Sequence, residues 1–192
     1  MTTLADIQRH VGVTADGKIG PDTIAAIAKA LGMTESVTPA IVIPDDYWPM
    51  LSKIESGDRP YVKARSSSAS GLYQFIHGTW LGEGGKWGSD MSQAFGGLRP
   101  SAEEQLARAK TFTAKNAAIL RQKGIPINKA SLYAAHFFGV FTAARVIQAD
   151  VSERADLIAG EAATKANPSI LLRKTVGQFL TWLHGKTGEW AR

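Results

Sequence analysis

The stretch from Ser101 to Lys123 reads as one long amphipathic helix, and it limits the possible folds more than any other. Ser101 and Glu104 have capping-box spacing, with the hydroxyl and the carboxylate each able to serve the other's backbone N–H. Leu106, Ala109, Thr113, Ala117 and Leu120 then recur at helical intervals, and Gly124 and Pro126 stop the pattern. Charged residues occupy the other face. Similar signals follow: Asn128 caps a helix over 129–138, Phe141 to Ala149 forms another, and Ser152 caps one running to about Lys165. Asn167-Pro168 breaks the chain, and Thr175 caps a last helix with Val176, Phe179, Leu180 and Leu183 on one face, ended by Gly185. The prediction is an all-α fold.

With 192 residues the chain can hold one ordinary domain and a small appendage. No apolar run approaches the roughly 20 residues that span a bilayer, so no stable membrane insertion is expected. There is no cysteine, and the four histidines are scattered, so neither a metal nor another cofactor is expected. The formal charge of +5 favours polyanions: nucleic acid, anionic lipid or an acidic wall polymer. Basic runs and basic–aromatic interleaving are missing, which argues against nucleic acid. A basic surface that only aids solubility is the alternative, and a monomer is expected.

Glu55 is the most informative single residue. Trp48, Leu51 and Glu55 lie at i, i+3 and i+7 of a helix that starts near Tyr47, with Asp45 or Asp46 as its cap. Ser56-Gly57 reads as the stop, Gly57 being free to take a left-handed cap. The apolar stripe thus leads to a carboxylate in the last turn, beside the negative end of the helix dipole. Desolvation and the dipole both favour the uncharged acid there, the form a general acid needs. A surface Glu at a frayed end is the bland alternative. Asp58, Arg59, Pro60 and the serines from Ser66 to Ser70 predict a loop whose small side chains let a polymer approach the backbone. A second helix is expected from about Ser70, carrying Leu72, Phe75 and Ile76 inward and leaving Gln74 as a buried or cleft-lining amide.

Glu55-Ser56, then SSASGLYQF at 67–75, then Thr79-Trp80, resembles the lytic transglycosylases and their goose-type lysozyme relatives. That resemblance implies a lysozyme-like helical catalytic domain over 46–192, with Glu55 catalytic. It implies substrate contacts from Ser56, Ser66, Ser67, Ser68, Tyr73 and Gln74, the last meeting the sugar near the acid. SLYAAHFFG at 131–139 matches the family's Ala-Tyr-Asn-Ala-Gly segment, with His136 at the Tyr position and Phe137 at the Asn position. His136 is either a core histidine or a cleft residue that hydrogen-bonds Glu55.

Residues 1–33 read as a miniature two-helix module. Leu4, Ile7 and Val11 make one face, and Ile24, Ile27, Ala28 and Leu31 the other, around a polar turn and Pro21 at a first helical position. The segment LADIQRHVGVTADGKIGPDTIAAIAKAL resembles the repeat core of peptidoglycan-binding modules, which implies wall binding through Asp16, Gly17, Gly20, Pro21 and Asp22. A hairpin that only braces the larger domain is the alternative. Residues 34–45, stiffened by Pro39 and Pro44, read as a linker.

Most glycosidases need two carboxylates at the scissile bond. Asp58 follows the helix stop and should face solvent, and Glu83 and Asp90 sit in a Gly-rich stretch, 82–100, that composition marks as mobile. Trp87 and Phe95 in that stretch either stack on sugars or pin the loop to the core. A lone acid suits the reaction the resemblance implies. In it the bond between N-acetylmuramic acid and N-acetylglucosamine is broken and a 1,6-anhydro end is left. A muramidase-type hydrolase using Glu83 or Asp90, or a wall-binding protein that does not cut, are the alternatives. The N-terminus shows no secretory pattern. The expectation is therefore a bacteriophage endolysin made in the host cytoplasm and released through a pore to lyse the cell, or else a virion-borne enzyme.

Overall fold

Helix α6, Lys129–Phe138, is the centre of the larger unit, with every side chain from Ala130 to Ala135 buried. Its small residues let neighbours approach closely, and α5 (Ala102–Gln122), α7 (Val140–Gln148) and α11 (Val176–Thr187) all pack on it. The computed structural model describes residues 2–32 and 41–192. These contain eleven α-helices and a 3-10 turn, Ala94–Gly97, and no β-strand beyond isolated bridges. The remaining helices are α1 (Leu4–His10), α2 (Pro21–Ala30), α3 (Tyr47–Ser56), α4 (His77–Gly82), α8 (Ala155–Ala159), α9 (Glu161–Ala166) and α10 (Pro168–Leu171). The fold is all-α, as the periodicity predicts. No helix among the described residues is long and apolar enough to cross a membrane.

The chain divides into two compact units, Met1–Ala40 and Ile41–Arg192. Residues 41–45, expected to be linker, belong to the larger unit, because Ile41 and Ile43 pack on its core. The rest of the expected linker, 34–40, lies outside the described residues.

The smaller unit is built around a polar centre. Its fully buried side chain is Gln8, whose amide nitrogen donates to Asp16 Oδ1, the Lys18 carbonyl and the Thr23 hydroxyl at 2.9, 2.8 and 3.1 Å. The Gly17 N–H donates to Gln8 Oε1 at 2.8 Å. Thr3 and Asp6 form the capping box of α1. The apolar stripes expected to close this unit are largely open: Ile24 and Leu31 are exposed. One amide, rather than a hydrophobic seam, organises the turn between α1 and α2.

In the larger unit, α5 carries the expected stripe inward, with Ala109, Thr113, Ala117 and Leu120 buried. Only half of its capping box forms. The Ser101 hydroxyl accepts the Glu104 N–H, while the Glu104 carboxylate turns to Arg108 at 3.5 Å. Capping boxes do form at Asn128–Ser131 and Thr175–Gln178. Asp46 does not cap α3; its carboxylate instead takes Lys129 Nζ at 2.8 Å. The last helix runs past Gly185 to a left-handed cap at Gly188.

Two other boundaries differ from the sequence reading. The helix expected from Ser70 begins at His77. Residues 63–75 instead fold back through single bridges, Lys63 with Ser70 and Ser70 with Phe75, with positive φ at Gly71 and Gln74. The helix expected over 152–165 is two helices, broken at Gly160, where φ is 89°.

The α8–α10 segment is anchored by a buried charge. Asp156 accepts a two-pronged contact from Arg154 at 2.7 and 2.6 Å, the Arg173 N–H at 2.9 Å and the Leu157 N–H at 3.1 Å. The Arg154 contact above all holds its carboxyl well below the usual carboxylate range. A depressed folded-state value contributes stability that is complete above the unfolded value, about 3.9, and is lost as pH falls through the folded one. Asp156→Asn is expected to be about 2–3 kcal/mol less stable than the wild type at neutral pH. Urea unfolding at a series of pH values should show this gap narrowing below about pH 4. A gap that stays constant into strong acid would contradict the assignment.

Candidate active site

Glu55 stands where its helix predicts. Trp48 and Leu51 are buried on the same face of α3, Gly57 takes the left-handed cap with φ 62°, and Glu55 is half-buried in the last turn. It lines a cleft of about 1050 Å³ together with Gln74, Ser66, Ser67, Tyr133 and His136. The apolar part of the wall comes from Phe75, Ile76, Phe112, Phe137 and Phe138, and the far rim from α9 and Asn167. This is the profile of a ligand site, mostly apolar with a few convergent polar groups. Glu55 is the sole carboxylate among the residues lining it.

Two tyrosines border the acid, and neither is predicted from the sequence. Tyr133, 3% exposed, has its phenol pushed up chiefly by burial and then by the neighbouring Glu55 charge. A neutral phenol beside the carboxylate is able to turn and donate to it. Tyr47, fully buried, is likewise raised by burial and then by Glu55. Thr113 approaches the Tyr47 hydroxyl too loosely for a full hydrogen bond and offsets the rise only in part. Tyr133 could have been found by spacing, since it lies three residues before His136 on α6.

The loop that carries Gln74 is held from behind. Gln105, 1% exposed on α5, accepts the Leu72 N–H at 2.8 Å and donates to the Pro60 and Pro100 carbonyls, both at 3.1 Å. Gln74 sits at φ 48° and donates to the Gly71 carbonyl at 2.9 Å. The amide nitrogen is thus tied to its own loop, and the side chain borders the cleft.

His136 lines the cleft, but Glu55 is not its hydrogen-bond partner. Its Nε2 is 2.9 Å from the Tyr73 carbonyl, which can only accept, so Nε2 carries the proton. Nδ1 is buried without a partner among the described residues. The ring packs edge-on against Phe75 and Phe112, with centroids 5.9 and 6.0 Å away.

Several expected contacts are absorbed by the fold. Ser56, 2% exposed, donates to the Ser52 carbonyl and accepts the Arg59 N–H, which fastens the end of α3. Ser68 accepts the His77 N–H at 3.0 Å and so supports the start of α4. The Tyr73 ring is buried in the core, and the residue meets His136 through its carbonyl. None of the three lines the cleft.

The two carboxylates considered as partners for Glu55 are also engaged elsewhere. Glu83 accepts Lys115 Nζ at 2.9 Å and the Thr111 hydroxyl at 2.9 Å. Asp90 accepts the Ser92 N–H and hydroxyl and the Gln93 amide, and its carboxyl is lowered by those bonds. Neither lines the cleft. Their stretch is packed, contrary to its composition. The Gly88 N–H donates to Phe95 and the Asp90 N–H to Gly96, at 3.0 and 3.1 Å. Trp87 and Phe95 pin this loop: they meet edge-on at 5.7 Å, and Trp87 packs at a tilt on His77 and Phe95 on Trp80.

No protein-family model matches the chain.

In the smaller unit, Asp16 and Gly17 are used by the Gln8 network, and Asp16 is lowered chiefly by the Lys18 N–H and then by Gln8. Gly20 caps α2 in an extended conformation, Pro21 is its first residue, and Asp22 is exposed in its first turn.

Proposed function

We propose that the larger unit cleaves peptidoglycan between N-acetylmuramic acid and N-acetylglucosamine, as a lytic transglycosylase. The observation that carries this reading is one half-buried carboxylate, Glu55, in a cleft whose lining residues include no second one. Most inverting and retaining hydrolases use a pair of carboxylates spanning the bond. A single acid can work if the substrate brings the nucleophile. Glu55 gives its proton to the bridging oxygen as the anomeric C–O bond breaks. The resulting carboxylate takes the proton of the C6 hydroxyl of the same muramic residue. That oxygen bonds to the anomeric carbon and closes the 1,6-anhydro ring, and Glu55 is again protonated. Tyr133 holds the carboxylate's orientation through both transfers. Phe112, Phe137 and Phe138 exclude water that would otherwise compete with the C6 hydroxyl.

The smaller unit, on this reading, contributes to wall attachment, and the whole chain serves to break the wall of a bacteriophage's host. Glu83→Gln and Asp90→Asn should keep murein-solubilising activity within about twofold of the wild type, since each carboxylate serves its own loop. Turbidity clearance of purified murein checks this. Loss of clearance in either folded variant would restore a water-activating carboxylate and the hydrolase reading.

A further inference from the structure

Helix α9 has a cavity on each side. Ala162, Lys165 and Ala166 border the Glu55 cleft, while Glu161, Thr164 and Lys165 line a second cavity of about 540 Å³. That volume lies within the range of small-ligand sites. Lys165 borders both spaces. The second cavity is completed by Leu157, Pro168 and Leu172, and its floor is fixed by the buried Asp156 and its four contacts.

Its mouth carries two exposed leucines. Leu157 is 73% and Leu172 52% exposed. Glu161 and Lys165 are one helical turn apart with opposite charges, and neither takes part in an ion pair among the described residues. An apolar hollow flanked by an unpaired cation and an unpaired anion is complementary to a short aliphatic group bearing both an ammonium and a carboxylate. A strand stripped of its peptides offers a lactyl carboxylate on each muramic residue but no ammonium and no aliphatic branch, so it would use at most the cation.

We propose that this second cavity takes the peptide stem of the glycan whose sugars occupy the Glu55 cleft. The inference rests on the peptidoglycan-cleaving reading and adds to it a substrate preference, for stem-bearing over bare strands. The branch passes over the small side chains of Ala162 and Ala166. Lys165 meets a stem carboxylate, Glu161 an ammonium, and Leu157 and Leu172 the aliphatic parts.

Two measurements test it. In the first, the full-length Glu55→Gln protein, isotopically labelled, is titrated with the tetrapeptide stem released from murein by an amidase. Amide shifts should concentrate over residues 157–172 and vanish when Leu157→Arg or Leu172→Arg is added. In the second, kcat/KM is compared on stem-bearing and amidase-stripped glycan. The wild type should favour the stem-bearing strand by about tenfold, the scale of a modest apolar contact. The ratio should fall towards one in Leu157→Arg and in Leu172→Arg. Equal rates on both strands for the wild type, or a ratio unchanged in both variants, would overturn the proposal. If neither strand is cut, the cleavage reading fails. The titration then decides alone: shifts over 157–172 keep a peptide site there, and their absence removes it.

Discussion

Glu55→Gln is expected to lower turnover on murein by about 10³–10⁴-fold while leaving attachment to murein intact. The magnitude follows from the role. General acid–base catalysis by one positioned group contributes about 10²–10⁴-fold, and here the same group acts in both directions. The amide has the shape of the carboxylate but can neither give nor take the proton. No other carboxylate lines the cleft to replace it. The Phe and Ser walls are untouched, so sedimentation of the variant with murein should match the wild type. A variant that clears murein at an undiminished rate would place the chemistry elsewhere.

Gly71→Ala is expected to cost about 4 kcal/mol of stability, lowering Tm by roughly 8–16 °C. Gly71 has φ of +78°, and an added Cβ would lie 2.3 Å from Gln105 Oε1 and 2.4 Å from the Phe95 ring. Neither neighbour can step aside. Gln105 is fixed by three hydrogen bonds, and Phe95 is fully buried against Trp80 and Trp87. The same residue supplies the carbonyl that holds Gln74. The protein that remains folded should therefore also bind glycan more weakly. Thermal unfolding followed by circular dichroism checks the first effect and murein sedimentation the second. A Tm within 2–3 °C of the wild type, the shift that about 1 kcal/mol gives in a chain this size, would show that the loop can move aside.

Local signals carried most of the fold. The α5 stripe, the caps at Asn128 and Thr175, and the run from Trp48 to Glu55 depend on residues a few positions apart, and all are found as predicted. What could not be read depends on partners far along the chain. Gln105 reaches Pro60, forty-five residues away, and Glu83 is taken by Lys115, thirty-two away. Ser56 and Ser68 look like ligand groups in a sequence because hydroxyls do, yet each meets a nearby backbone group whose need becomes visible only once the loop has folded. Gln74 at positive φ breaks a helix that its side-chain pattern supports, since its amide is better used on Gly71. The smaller unit shows the same effect: a stripe of isoleucines and leucines suggests an apolar seam, whereas a buried glutamine organises it.

The mass of the fragments released from purified murein by the wild-type chain, with the digestion run in ¹⁸O-labelled water, bears most directly on whether one acid suffices. Ring closure by the substrate's own hydroxyl predicts muramic ends lighter by one water than a reducing sugar and free of the heavy isotope. Reducing ends carrying ¹⁸O would mean that water attacks the anomeric carbon, and the single-acid account would be wrong.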